Sequence, residues 1–260
     1  MSERGSAACR FETIRVERGA DGLATLTLDR PDKHHAINGR MIGELAEAAA
    51  DLGADAGVRA VILAASGPSF CAGGDLEWMR AQQAADRAGK IAEAGRLSAM
   101  LASLDALPKP LIARVQGNVY GGGVGLLAVS DLAIGAEGIR LALTETRLGL
   151  IPATIGPFVV RRMGQGMARQ VFFSGNGFGT DFALRAGLLH EVCAADALDD
   201  RVRRQAEAVL RTAPGAVAAA KALCLGLGGE READVAASIA ALADRWESDE
   251  AQERIRAFLA

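Results

Sequence analysis

Two glycine-rich stretches constrain this chain more than any other feature. SGPSFCAGGD (Ser66 to Asp75) and GNVYGGGVG (Gly117 to Gly125) each follow an apolar run that reads as a buried strand, and each leads into a helix. A strand, glycine loop and helix met twice in order calls for an α/β architecture with parallel strands. At such junctions the first helical N–H groups are unpaired and the helix dipole favours negative charge, while glycine lets a ligand come close to the backbone. A dinucleotide fingerprint is a poor match, because Gly121 and Gly123 are followed by Leu126 rather than a third glycine, and no Walker lysine is present.

Glycine accounts for 31 of the 260 residues, well above the roughly 7% of an average chain, so the two loops are part of a wider excess. Half of the residues are hydrophobic, which is enough for a sizeable core. A net charge of −3 and 4% aromatic residues argue against a nucleic-acid partner built on bulk charge or base stacking. Cys9, Cys71, Cys193 and Cys224 form no C-x-x-C pair, and the three histidines have no clustered partners, so no metal site is expected. The apolar stretch from Val119 to Ala136 is broken by Asp131 and a glycine run, so no membrane span is expected, and the chain reads as cytoplasmic.

Alternation predicts a hairpin from Phe11 to Glu17 and Leu23 to Asp29, then a helix capped by Asn38 and running to about Leu52. Strands follow at Arg59 to Ala65 and Leu111 to Gln116, separated by a long helical or partly mobile segment from Leu76 to Leu104. Two short strands are expected at Asp131 to Glu137 and near Leu141 to Leu143. From Pro157 the pattern turns helical, with breaks at Pro214 and around Gly226. This divides the chain into a core over 1–195 carrying the site, and a helical region over 196–260.

Five motifs in order carry a family resemblance: LTLDRPDKHHAIN (Leu26 to Asn38), FCAGGDL (Phe70 to Leu76), KPLIARVQGNVYGGGVGLLAVSDLAIGAE (Lys109 to Glu137), LTETRLGLIPATIG (Leu143 to Gly156) and AGLLHEV (Ala186 to Val192). Through them the chain resembles the crotonase, or enoyl-CoA hydratase/isomerase, superfamily over nearly its whole length. The resemblance implies an α/β spiral of ββα units with a C-terminal helical trimerisation region, and homotrimers or hexamers made as dimers of trimers. It implies an acyl-CoA thioester as substrate, with CoA entering as part of that substrate and no permanently bound cofactor.

The same resemblance assigns an oxyanion hole to the backbone N–H groups of Gly74 and Gly122, and the general acid or base to Glu145. Lys33, His35 and Ala36, together with Ala72, Gly74, Asp75, Leu76 and Gly122, fall on stretches that bind CoA in the family. Fixed donors aimed at charge that grows only toward the transition state contribute about 3 kcal/mol each, and a carboxyl group in a dry pocket is tuned toward neutrality for moving protons. Glu145 could alternatively cap its turn or pair with Arg147.

One departure stands out. Where two-carboxylate hydratases carry their first glutamate, three positions after the middle glycine, this chain has Gly125. Residue logic then leans toward an isomerase that lifts and returns one proton with Glu145, whereas the longer motif string resembles methylglutaconyl-CoA and carboxygeranoyl-CoA hydratases. A hydratase is the leading expectation, with water or a substrate carboxylate filling the space at Gly125; a non-catalytic acyl-CoA-binding member of the fold is a third. Arg80, Arg161 and Arg162 are candidates for holding a carboxylated acyl group, Trp78 and Met79 for lining its pocket, and Arg254 and Arg256 for meeting CoA phosphates. A Cys71 nucleophile is an alternative of another class.

Overall fold

The computed structural model describes residues 11–227 and 231–259. β1 (Ile14–Arg18) and β2 (Leu23–Leu28) form the expected hairpin, with Ile14 opposite Leu28 and Arg18 opposite Ala24. Beyond it every pairing in the main sheet is parallel: β3 (Ala60–Ala65), β4 (Leu111–Val115), β6 (Leu132–Ala136) and β8 (Glu191–Cys193) follow in the order β1-β2-β3-β4-β6-β8. The central strands AVILAA and LIARV are near-continuous apolar runs, as parallel strands covered on both faces must be. β8 lies in a stretch the periodicity reads as helical; three residues are too few to show alternation, and its place beside β6 comes from tertiary pairing.

After each central strand the chain makes a short extended segment before turning into a helix. The residues after β3 bridge Gly74 to Ile37 and Cys71 to Val119; β4 is followed by β5 (Val119–Tyr120), and β6 by β7 (Leu141–Ala142), which pairs with β5 in parallel. These segments form a second, smaller layer, giving the ββα spiral that the motifs imply. α1 (Gly39–Ala54) begins as expected at Asn38, whose side chain accepts from the Met41 amide at 2.9 Å. The long segment after the first glycine loop is two helices, α2 (Leu76–Ala84) and α3 (Arg87–Asp105), because Asp86 caps the second through the Gly89 amide. α4 (Gly122–Ala128) is short and apolar, and α5 (Gly156–Phe172) kinks at Gly164. α6 (Thr180–Arg185) leads to β8.

Met41, Leu45 and Leu52 of α1 meet Leu97, Leu101 and Leu104 of α3 in one core that continues through the sheet. α7 (Leu198–Leu210) lies on that sheet over β3, β4 and β6, with Leu198, Val202 and Ala206 buried. α8 (Pro214–Gly226) follows. α9 (Arg231–Glu247) and α10 (Asp249–Leu259) fold back against α3 and α2, where Leu150, Trp246, Ala251 and Ile255 make a second small core. No single described helix is long and apolar enough to cross a membrane.

Candidate active site

Both glycine loops, the turn after β7 and the two last helices converge on a cavity of about 230 Å³. Its wall is largely apolar, and among the described residues lining it Glu145 is the one carboxylate and no Lys, Arg or His is present.

The first loop is set by Asp75. Its carboxylate caps α2, accepting from the Glu77 and Trp78 amides at 2.9 and 3.3 Å, and pairs with Arg30 at 2.9 Å. Burial alone would raise its pKa, but the guanidinium and the amides reverse that and hold it below the usual carboxylate range. Immediately before it, the amide of Ile37 donates to Gly73 and the amide of Asp75 donates to Ile37. In a parallel pairing this pattern turns the bridged residue's own N–H away from the partner strand, so the N–H of Gly74 is directed off the Ile37 segment beside the cavity that Gly74 lines.

The second loop presents Gly122 as the first residue of α4, where N–H groups have no intrahelical acceptor. Gly73 and Gly121, with φ of +93° and +46°, hold backbone conformations that a side chain would strain, and they lie against one another. A Cβ at Gly121 would stand 3.5 Å from Gly73 Cα and 3.4 Å from Glu145 Oε1, so both loops and the carboxyl group are within contact of a single point.

Glu145 opens a 3-10 turn, Glu145–Leu148, closed by Gly149 in the left-handed region at φ +75°. Its Oε2 is out of reach of solvent and has no hydrogen-bond partner. Burial pushes the carboxyl up to about 7, opposed only by its own backbone amide. The alternative pairing with Arg147 is not formed: Arg147 donates to Asn176 Oδ1 at 3.1 Å. An acid with a desolvated, unpartnered oxygen costs stability, and groups of this kind cluster at functional sites.

The sequence profile described as Enoyl-CoA hydratase/isomerase matches residues 18–259. The chain belongs to this family. A Thermus thermophilus protein carrying the enoyl-CoA hydratase name is 30% identical over 247 residues, spanning 94% of this chain and 96% of its own. An enoyl-CoA hydratase structure from Shewanella pealeana superposes with a TM-score of 0.82 at 33% identity, covering 96% of this chain and 94% of that one. Pseudomonas aeruginosa AtuE gives 0.81 at 38% identity, covering 95% and 96%. The chain is therefore an enzyme of the enoyl-CoA hydratase/isomerase family, with the crotonase fold.

Against that family pattern, the space at Gly125 is not free. A Cβ there would meet Ile155 Cγ2 at 2.7 Å and Leu101 Cδ1 at 3.3 Å, so Ile155 already occupies the room in which a glutamate would start. That contact fills the space next to the Gly125 backbone with Ile155. Trp78 and Met79 do line the cavity, the Trp78 indole donating to Glu93 at 2.8 Å. Arg80 is exposed and donates to the Leu259 carbonyl, while Arg161 faces Asp105 and Arg162 caps α4 at the Ala128 and Ser130 carbonyls, and none of the three lines the cavity. Arg254 reaches the Arg147 carbonyl, and Arg256 is exposed on α10.

Of the expected CoA-binding residues, Ala72, Gly74, Leu76 and Gly122 line the cavity. Lys33 is exposed outside it, and the loop it belongs to is tied to the first glycine loop by the Ala72 amide donating to His34. Ala36 is buried, and its carbonyl accepts from Arg30. His35 is fully buried: Nδ1 accepts the Arg30 amide at 3.0 Å, so Nε2 carries the proton toward the Ser66 carbonyl at 2.6 Å. Cys71 is no nucleophile, because burial pushes its thiol up to about 12. Sequence reasoning missed Leu242 and Trp246 of α9 and Phe258 of α10 as cavity wall. One signal was available, a tryptophan in an alanine-rich helix.

Proposed function

We propose that this chain is an enoyl-CoA hydratase-type lyase in which Glu145 is the sole acid and base. The observation that carries this reading is the buried Glu145 carboxyl, its Oε2 without a hydrogen-bond partner, in contact range of both glycine loops. Adding water to the β carbon of an enoyl thioester drives electrons onto the thioester oxygen, and the N–H groups of Gly74 and Gly122 receive that charge. The neutral acid form of Glu145 then delivers its proton to the α carbon, and the carboxylate left behind takes the proton that the added water gives up as its oxygen bonds to the β carbon, which returns Glu145 to its starting form; acid–base work of this kind is worth about 10²–10⁴ in rate. A pKa of about 7 leaves both forms populated near neutrality, as a group that gives and recovers a proton requires.

A second reading is favoured by Ile155. With that side chain against Gly125, no second carboxylate orients a water, and an isomerase needs only Glu145 to lift a proton and return it. The cavity wall suits a branched apolar acyl group better than the carboxylated methylglutaconyl group, since no described wall residue is cationic. CoA is assigned to the stretches holding Lys33, His35, Ala36, Ala72, Asp75 and Leu76, largely through backbone groups, since the His35 and Asp75 side chains are engaged inside the fold. Homotrimers or hexamers, built on 196–260, and a cytoplasmic location complete the reading on the family resemblance. Incubation with trans-2-enoyl-CoA, 3-enoyl-CoA and 3-methylglutaconyl-CoA tests it: hydroxyacyl product supports the lyase, whereas double-bond migration without water uptake overturns it.

A further inference from the structure

The turn that carries Glu145 is held from outside the spiral. Arg245 of α9 donates from Nε to the carbonyl of Gly149 at 2.7 Å, and its Nη2 pairs with Glu250 of α10 at 2.7 Å. Gly149 ends the Glu145 turn, and α10 sits so close that a Cβ there would stand 2.9 Å from the Ala251 backbone. Beside this contact Leu150 packs with Trp246, Ala251 and Ile255, and Leu242, Trp246 and Phe258 continue as cavity wall. Helices far along the chain thus touch the end of the turn and cover the pocket that Glu145 enters.

We propose that α9 and α10 form a roof clamped to the Glu145 turn, with Arg245 as the positioning residue that holds it closed and keeps the carboxyl dry. The inference rests on Glu145 as the acid and base. The charged groups facing this turn do not supply an alternative cause for the state of the acid: Arg147 is turned to Asn176, Arg254 reaches the Arg147 carbonyl, Glu250 is paired with Arg245, and the Tyr120 phenol shares the cavity. Desolvation is what raises Glu145, and Leu242, Trp246 and Phe258 of the roof line the same cavity.

The test measures unfolding midpoints of the parent and Glu145→Gln from pH 4 to pH 9, in the Arg245, Arg245→Ala and Arg245→Lys backgrounds, with kcat and KM against pH beside them. Arg245→Ala is expected to lower the pH at which Glu145 titrates by at least one unit and to cut kcat about tenfold, while Arg245→Lys, which keeps a donor, restores most of both. If Arg245→Ala does not fold, Gly149→Ala, strained by its φ and its approach to Ala251, is read in the same way. A Glu145 titration unmoved in these variants overturns the roof. The stability readout needs no turnover, so an inactive parent would sink the catalytic reading while leaving the roof testable.

Discussion

At the scale of single residues, the energetics of Glu145 decide the most. Its folded-state pKa of about 7 lies above the ordinary 4.5. The folded state therefore holds the proton more tightly than the unfolded one, and the associated stability is complete below pH 4.5 and lost as pH rises through 7. At 1.36 kcal/mol per pH unit the ionised acid costs the fold up to ~3 kcal/mol above that window. Glu145→Gln is accordingly expected to be more stable than the parent at pH 8 and nearly equal to it at pH 4, as read by denaturant midpoints. The same variant should lose about 10²–10⁴ in turnover while retaining CoA-ester binding by calorimetry; near-normal turnover would remove Glu145 from the mechanism. The direction of the pH–rate limb separates the two reactions. Hydration draws on the protonated acid, so kcat/KM should fall above about pH 7, whereas isomerisation draws on the carboxylate and should rise through the same pH.

At the scale of elements, the first glycine loop is as precise as the cap that ends it. Asp75 closes α2 and neutralises Arg30, both side chains largely buried, so Asp75→Ala removes a cap worth about 1 kcal/mol and leaves the Arg30 charge without its carboxylate. A loss of roughly 2–3 kcal/mol in chemical denaturation is expected, with a fall in kcat because the N–H of Gly74, one residue away, is no longer fixed. A change in stability with kcat intact would separate the cap from the role proposed for the Gly74 N–H. The loops were legible in the sequence for a physical reason: backbone donors at a strand-to-helix junction depend on local chain geometry, which Gly73, Gly74, Gly121 and Gly122 encode directly. The hairpin, the apolar parallel strands and the Asn38 cap were legible on the same local grounds. β7 was expected near Leu141 to Leu143 and is found there, whereas β5 and β8 were not expected, since strands of two or three residues carry no period of their own and exist only through their partners.

At the scale of the whole molecule, the cavity is closed by residues that are remote in sequence, and there local pattern gives no guidance. Ile155 stands 30 positions beyond Gly125, yet the two share one space; Trp246 and Phe258 come later still and complete the wall. The missing glutamate is visible in the sequence as a single glycine, but the reason a glutamate cannot simply be put back is visible only in three dimensions. Gly125→Glu alone should fold poorly, because its Cβ would overlap Ile155 at 2.7 Å and its carboxyl would enter an apolar wall without a partner. A loss of about 3 kcal/mol or more is expected by thermal or urea unfolding. Ile155→Gly opens the space, so the double variant Gly125→Glu, Ile155→Gly should recover part of that loss and hold two carboxyl groups on one cavity. The double variant is then expected to raise water addition relative to double-bond migration, measured as the ratio of hydroxyacyl to isomerised product from one enoyl thioester. If Gly125→Glu is as stable as the parent, Ile155 does not fill the site; if the double variant folds and the product ratio stays fixed, the identity of residue 125 does not choose between the two reactions.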